Sequence, residues 1–249
     1  MDLFNSQLVV IAGPCAIETE DSFYKTALSV KKSGANILRG GAFKPRTNPN
    51  NFQGLGLPAL KMLKDMSNTL NLPVVTEVID TRDIDIVVNY VDILQIGSRN
   101  MYNYVLIKEV AKTGKPILFK RGLSATLHEW LLISAYIINE GNYNIIFCER
   151  GIRTFESATR NTLDLNIVPL LKQKTKFPVI VDPSHGTGNR SLVIPMAQSA
   201  VASGANGLMV EVHCEPEKAL CDGDQSLNLD EFALLMKNVN KIYSALGGN

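Results

Sequence analysis

ILQIGSRNMYNYVLIKEVAKTGKPILFKR, residues 93–121, contains one full period of this chain. The β-rich run ILQIGSR ends on Arg99, and a helix-like stretch follows at about 103–113. The glycine-containing turn KTGKP then feeds a second run, ILFKR, which carries Lys120 and Arg121. Strand, helix and short turn in that order make a βαβ unit, whose strands lie parallel. The order recurs on both sides. VVIAGPC to Cys15, ILR to Arg39 and VVTE to Glu77 precede this unit; IIFCER to Arg150, VIVDPSH to His185 and LMVEV with Glu211 follow it. Eight such runs in 249 residues predict an α/β fold, a (β/α)8 TIM barrel forming one catalytic domain over residues 1–249 with no appended regulatory domain. A barrel of this kind gathers all its strand C-termini at one mouth, where its chemistry takes place. Here nearly every run ends on a charged or metal-capable residue.

Helices are expected at about 20–33, 58–70, 81–89, 103–113, 126–140, 159–173, 189–203 and 228–246. Thr81 with Asp83 marks one start. Asn228 with Asp230 and Glu231 marks another, the acids complementing the helix dipole, and Pro58 fits a first turn where its missing N–H costs nothing. The segments 41–57 and 151–160 are long, polar and glycine-containing, as loops on a catalytic face are.

The composition, 45% hydrophobic and 20% charged with net charge +1, is that of an ordinary globular protein and offers no basic stripe for nucleic acid or membrane. The leading MDLFNSQ has no signal-peptide pattern. Cys15, Cys148, Cys214 and Cys221 are too few and scattered for a disulfide framework, so a reducing, cytoplasmic setting is expected.

Cys15, His185, Glu211 and Asp222 are a thiol, an imidazole and two carboxylates at or just after strand ends. They are far apart in sequence, and only closure of the barrel, with strand 8 against strand 1, unites them. Mixed sulfur, nitrogen and oxygen ligation suits one divalent ion of the Mn, Fe, Co or Zn type. His213, two residues past Glu211, and Cys221, beside Asp222, compete as ligands.

A second group, Arg39, Lys44, Arg46, Arg99, Lys120, Arg121 and Arg150, falls at strand ends or in the loop after strand 2. Crowded into one mouth, these cations call for a substrate set with several negative charges, of the phosphate and carboxylate type. Within RGGAFKPRT (39–47) the glycines permit close backbone approach, and Pro45 stiffens the loop presenting Lys44, Arg46 and Thr47. Glu77 is a carboxylate among these cations, read either as an acid/base group or as an ion-pair partner.

AGPCAIE (12–18), RGGAFKPRTNPNNFQGLG (39–56), QIGSRNM (95–101), KRG (120–122), CERGIRTFE (148–156), DPSHGTGNR (182–190) and EVHCEPEKALCDGDQSL (211–227) together resemble the 3-deoxy-D-arabino-heptulosonate 7-phosphate (DAHP) synthases. The likeness is to the branch related to the 3-deoxy-octulosonate 8-phosphate synthases. It implies condensation of phosphoenolpyruvate with erythrose 4-phosphate, the first step of the shikimate pathway. It also implies a divalent metal on Cys15, His185, Glu211 and Asp222, favouring Asp222 over Cys221. Phosphoenolpyruvate falls to Arg39, Lys44, Ser98, Arg99, Lys120 and Arg150, and the sugar phosphate to Lys44–Thr47, with Lys44 and Glu77 as catalytic candidates. Asn48-Pro49-Asn50 stands where relatives often carry Ser-Pro-Tyr, and Cys221 where Ser is more usual. Small-molecule substrates and a homo-oligomer, dimer or tetramer, are the expected partners.

Overall fold

Eight parallel strands close on themselves in sequence order: β1 (Val9–Gly13), β2 (Ile37–Arg39), β3 (Val74–Glu77), β4 (Ile93–Ile96), β5 (Ile117–Lys120), β6 (Ile145–Glu149), β7 (Val179–Val181) and β8 (Gly207–Glu211). The structure is a computed structural model and describes residues 4, 7–46 and 48–248. Helices α1 (Glu20–Lys32), α2 (Leu57–Leu70), α3 (Ile84–Val87), α4 (Tyr104–Lys112), α5 (Leu127–Asn139), α6 (Ile167–Lys174), α7 (Pro183–Thr187), α8 (Arg190–Ala202) and α9 (Leu229–Ala245) lie between or after the strands. This is the expected (β/α)8 barrel.

Strand side chains alternate between two cores, as a period of two dictates. Ile11, Ile37, Val75, Ile93, Leu118, Ile146, Ile180 and Met209 fill the barrel interior. Val10, Leu38, Val74, Leu94, Phe119, Phe147, Val181 and Leu208 pack outward against the helices. Continuing the interior phase by two residues reaches Arg39, Glu77, Gln95, Lys120, Asp182 and Glu211 at the mouth. The inward face of each of these strands thus changes from apolar to polar along its length.

Closure is made by β8 against β1, paired from Val9↔Gly207 to Gly13↔Glu211. That register sets Glu211 beside the β1 turn that carries Cys15.

Two helix expectations are corrected. Residues 81–89 divide into a 3-10 turn, Thr81–Asp83, capped by Asp80, and the single-turn α3. The helix expected at 159–173 begins at Ile167. Pro169 lies in its first turn, where a missing N–H is tolerated; a start at 159 would bury Pro169 in the helix interior. Residues 151–162 instead form a loop closed by an antiparallel bridge between Ile152 and Thr162. The other start signals hold: Pro58 sits in the first turn of α2, and Asn228 forms a capping box with Glu231 on α9.

Candidate active site

Cys15 follows β1, His185 lies in α7, Glu211 ends β8, and Asp222 sits in the loop before α9. One ligand atom from each lies within 4.8 Å of all the others. The Cys15 thiol donates to Asp222 Oδ2 at 3.1 Å, and His185 Nε2 is 3.4 Å from Glu211 Oε1. VIVDPSH is not one strand to His185: β7 stops at Val181, and the single-turn α7 turns the imidazole inward. Asp182, which caps α7, accepts from the His185 backbone N–H at 3.0 Å and lies 2.7 Å from Nδ1. With the Nδ1 proton held there, Nε2 presents its lone pair to the cluster. Burial lowers the His185 pKa, which keeps the ring neutral as a ligand must be.

Asp182 was not among the residues singled out from sequence, although its signal was present: it continues the inward phase of Ile180. Burial alone would push its carboxyl up, but His185 and Lys120, whose Nζ lies 2.5 Å away, hold it well below the usual carboxylate range. Gln225 was also missed. Its amide donates to Glu211 Oε2 at 2.5 Å, and nothing in the sequence around it marks that contact.

The donor set fits a divalent cation. Glu211 is fully buried, and its Oε1 has no hydrogen-bond partner, although Arg39 Nη2 lies 3.2 Å away. A buried carboxylate oxygen left so, facing a thiol, an imidazole and a second carboxylate, is the arrangement a cation completes. The competing ligands fall outside the cluster. β8 ends at Glu211, so His213 does not continue its alternation; His213 Nδ1 accepts from the Glu215 N–H, and Nε2 faces Glu18 at 3.6 Å. Cys221 Sγ touches Cys15 Sγ at 3.2 Å and takes a hydrogen bond from Arg46 Nη1 at 2.7 Å. Sharing that contact with Cys221, together with burial, pushes the Cys15 thiol well up.

Above the cluster opens a cavity of about 260 Å³ lined by Arg39, Lys44, Arg46, Ser98, Arg99, Lys120 and Arg150, with Glu77, Gln95, Arg153 and Arg160. Arg39 Nη1 and Ser98 Oγ are buried there without partners. Lys44 Nζ donates to Cys15 Sγ at 2.9 Å and to its carbonyl at 3.2 Å. Burial would lower the Lys44 pKa, but its neighbours Cys15, Cys221 and Glu77 outweigh that effect and raise it. Thr47 lies outside the described residues.

Arg121 does not belong to this group. One residue past Lys120, it faces the outer layer, where Nη1 pairs with Glu149 at 2.9 Å and Asp164 at 3.0 Å.

A parallel barrel with a cation-lined mouth over a thiol, imidazole and carboxylate cluster able to hold a metal defines an enzyme acting on multiply anionic small molecules. Residues 4–245 match the DAHP synthetase I family, and the chain belongs to it. It is 48% identical over 243 residues to a phospho-2-dehydro-3-deoxyheptonate aldolase of Thermotoga maritima, covering 98% of this chain and 72% of that protein. It is 31% identical over 255 residues to a 2-dehydro-3-deoxyphosphooctonate aldolase of Geotalea daltonii, covering 94% and 92%. The crystal structure of the Thermotoga maritima DAHP synthase superposes with a TM-score of 0.96 at 47% identity, covering 98% of this chain and 72% of that one. A truncated form of 3-deoxy-D-arabino-heptulosonate 7-phosphate synthase from Thermotoga maritima gives 0.92 at 44% identity, covering 98% of this chain and 90% of that one.

Proposed function

We propose that the chain condenses phosphoenolpyruvate with erythrose 4-phosphate and water, giving DAHP and phosphate, as a 3-deoxy-7-phosphoheptulonate synthase of the shikimate pathway. The observation that carries this reading is the convergence of Cys15, His185, Glu211 and Asp222 within 4.8 Å, at the mouth of a barrel of this family. A divalent ion held there, Mn, Fe, Co or Zn, would supply Lewis-acid polarisation of the sugar aldehyde.

The chain's own groups do the rest. Arg39, Ser98, Arg99, Lys120 and Arg150 hold phosphoenolpyruvate by charge-assisted contacts; Arg46 and Thr47 hold the sugar phosphate. The phosphoenolpyruvate methylene carbon bonds to the aldehyde carbon, water adds at the enol carbon, and phosphate leaves by C–O cleavage. Lys44, a retained ammonium at the edge of the metal group, gives its proton to the new alkoxide. Among the described residues lining the cavity only Glu77 and Asp222 are acidic, which leaves Glu77, held by the Gln95 amide at 3.2 Å, to take the proton of the adding water. Lys120, with its Nζ engaged by Asp182 at 2.5 Å, is poorly suited to form an imine.

The octulosonate relatives raise a five-carbon aldose as the second reading. The Lys44–Thr47 sequence KPRT and the higher identity to the heptulosonate enzyme favour the four-carbon sugar. Phosphate release from phosphoenolpyruvate, measured with erythrose 4-phosphate and with arabinose 5-phosphate, each with chelator and with Mn²⁺, tests both. Turnover is expected with erythrose 4-phosphate and metal only; equal rates with the pentose phosphate overturn the sugar assignment, and full turnover in chelator overturns the metal. Three described cysteines are buried thiols, in keeping with a reducing cytoplasm, and exposed Tyr104, Val105, Leu132 and Tyr136 on α4 and α5 offer a face for a dimer or tetramer.

A further inference from the structure

The loop after β6 touches the metal group from outside. Its Arg160 side chain, 41% exposed, places Nη1 2.7 Å from Gln225 Oε1 and 3.5 Å from Asp222 Oδ1. Gln225, only 2% exposed, passes the contact inward, its Nε2 donating to Glu211 Oε2. Only one orientation of that amide meets a cation at its oxygen and a carboxylate at its nitrogen. The two acidic metal ligands are thus both tied to one arginine, Asp222 directly and Glu211 through Gln225.

The arginine is itself held in place. Its backbone N–H donates to the Thr187 carbonyl at 3.0 Å, and the Asn161 amide donates to the His185 carbonyl at 2.9 Å. Gly188, at φ +65°, leaves the room Arg160 occupies: a Cβ there would stand 2.4 Å from Arg160 Cβ. Backbone, neighbouring amide and a glycine gap all fix where the guanidinium sits.

We propose that Arg160 is a positioning residue for the metal-binding carboxylates, a role that rests on the metal reading above. Partners of this kind orient the ligands and set affinity, and losing one typically weakens a metal about 10–100-fold. Arg160 also borders the substrate cavity, so the rival role is a phosphate contact that leaves the metal untouched.

Mn²⁺ titration of the full chain without substrates, followed by the electron paramagnetic resonance of free Mn²⁺, separates them. Arg160→Gln and Gln225→Leu should each weaken Mn²⁺ about tenfold or more, and the double variant should fall clearly short of the product of the two losses, because both act on the Glu211 arm while only Arg160 also reaches Asp222. Arg160→Lys should recover part of the loss. Arg160→Gln binding Mn²⁺ within twofold of the wild type overturns the proposal, as does full additivity in the double variant. A loss of Mn²⁺ affinity matched by a lowered melting temperature of the metal-free protein also overturns it, since that marks a general structural role. If the wild type itself fails to bind Mn²⁺, the metal reading falls; if it binds and Arg160→Gln binds equally, only this inference falls.

Discussion

Lys120 and Arg121 are adjacent cations with opposite fates, decided by strand parity. Lys120 points into the mouth, and Arg121 lies buried between the barrel and its helices, paired with Glu149 and Asp164. Lys120→Ala should therefore raise the Michaelis constant for phosphoenolpyruvate, whereas Arg121→Ala should act on stability, costing about 3–5 kcal/mol by leaving a buried carboxylate unpaired. Glu149→Gln should cost less, because Arg121 keeps Asp164. The pH dependence follows from Glu149, whose carboxyl burial pushes up despite Arg121. A raised folded-state pKa means the folded chain holds the proton longer than the unfolded one. Stability from this group is full below the ordinary Glu range and is lost as pH rises through the folded value. Removing Arg121 raises that value further. Urea unfolding should then show a smaller Arg121→Ala loss near pH 5 than near pH 7; a loss independent of pH would reject this account.

At the scale of elements, starts with a local chemical signature were legible and those governed by distant contacts were not. Asn228 with Glu231 announced α9, and the structure shows the reciprocal bonds, Glu231 N–H to Asn228 Oδ1 at 2.9 Å and Asn228 N–H to Glu231 Oε2 at 2.8 Å. Asn228→Ala should cost about 1 kcal/mol in thermal or chemical unfolding, with kinetics unchanged. The start of α6 was misread because Asn161 and Asp164, ordinary polar residues in sequence, are committed to the His185 carbonyl and to Arg121. His185 was read as a strand end because the turn of α7 is a single one, too short for periodicity to register.

For the whole molecule, the barrel was legible because its unit repeats eight times, and the convergence of Cys15, His185, Glu211 and Asp222 was legible once β8 was placed beside β1. Asp182 and Gln225 were not, since their importance lies in which atom they touch. A cation that binds only the folded barrel must stabilise all of it. Mn²⁺ at about a hundred times its dissociation constant should add about 2.7 kcal/mol to unfolding. Cys15→Ala should abolish that increment in a calorimetric scan, and an undiminished increment would move the metal elsewhere.

Glu77 owes its position partly to a residue with no side chain. A Cβ on Gly97 would stand 1.9 Å from Glu77 Oε1, and what it meets is the tip of a flexible side chain, not backbone. An alanine at 97 could be accommodated by the fold, yet it would evict the carboxylate from its place beside Gln95. Positions 77 and 97 are therefore physically coupled. Any enlargement of residue 97 displaces the acid at 77, so the reach of that carboxylate into the mouth is set by the emptiness opposite it.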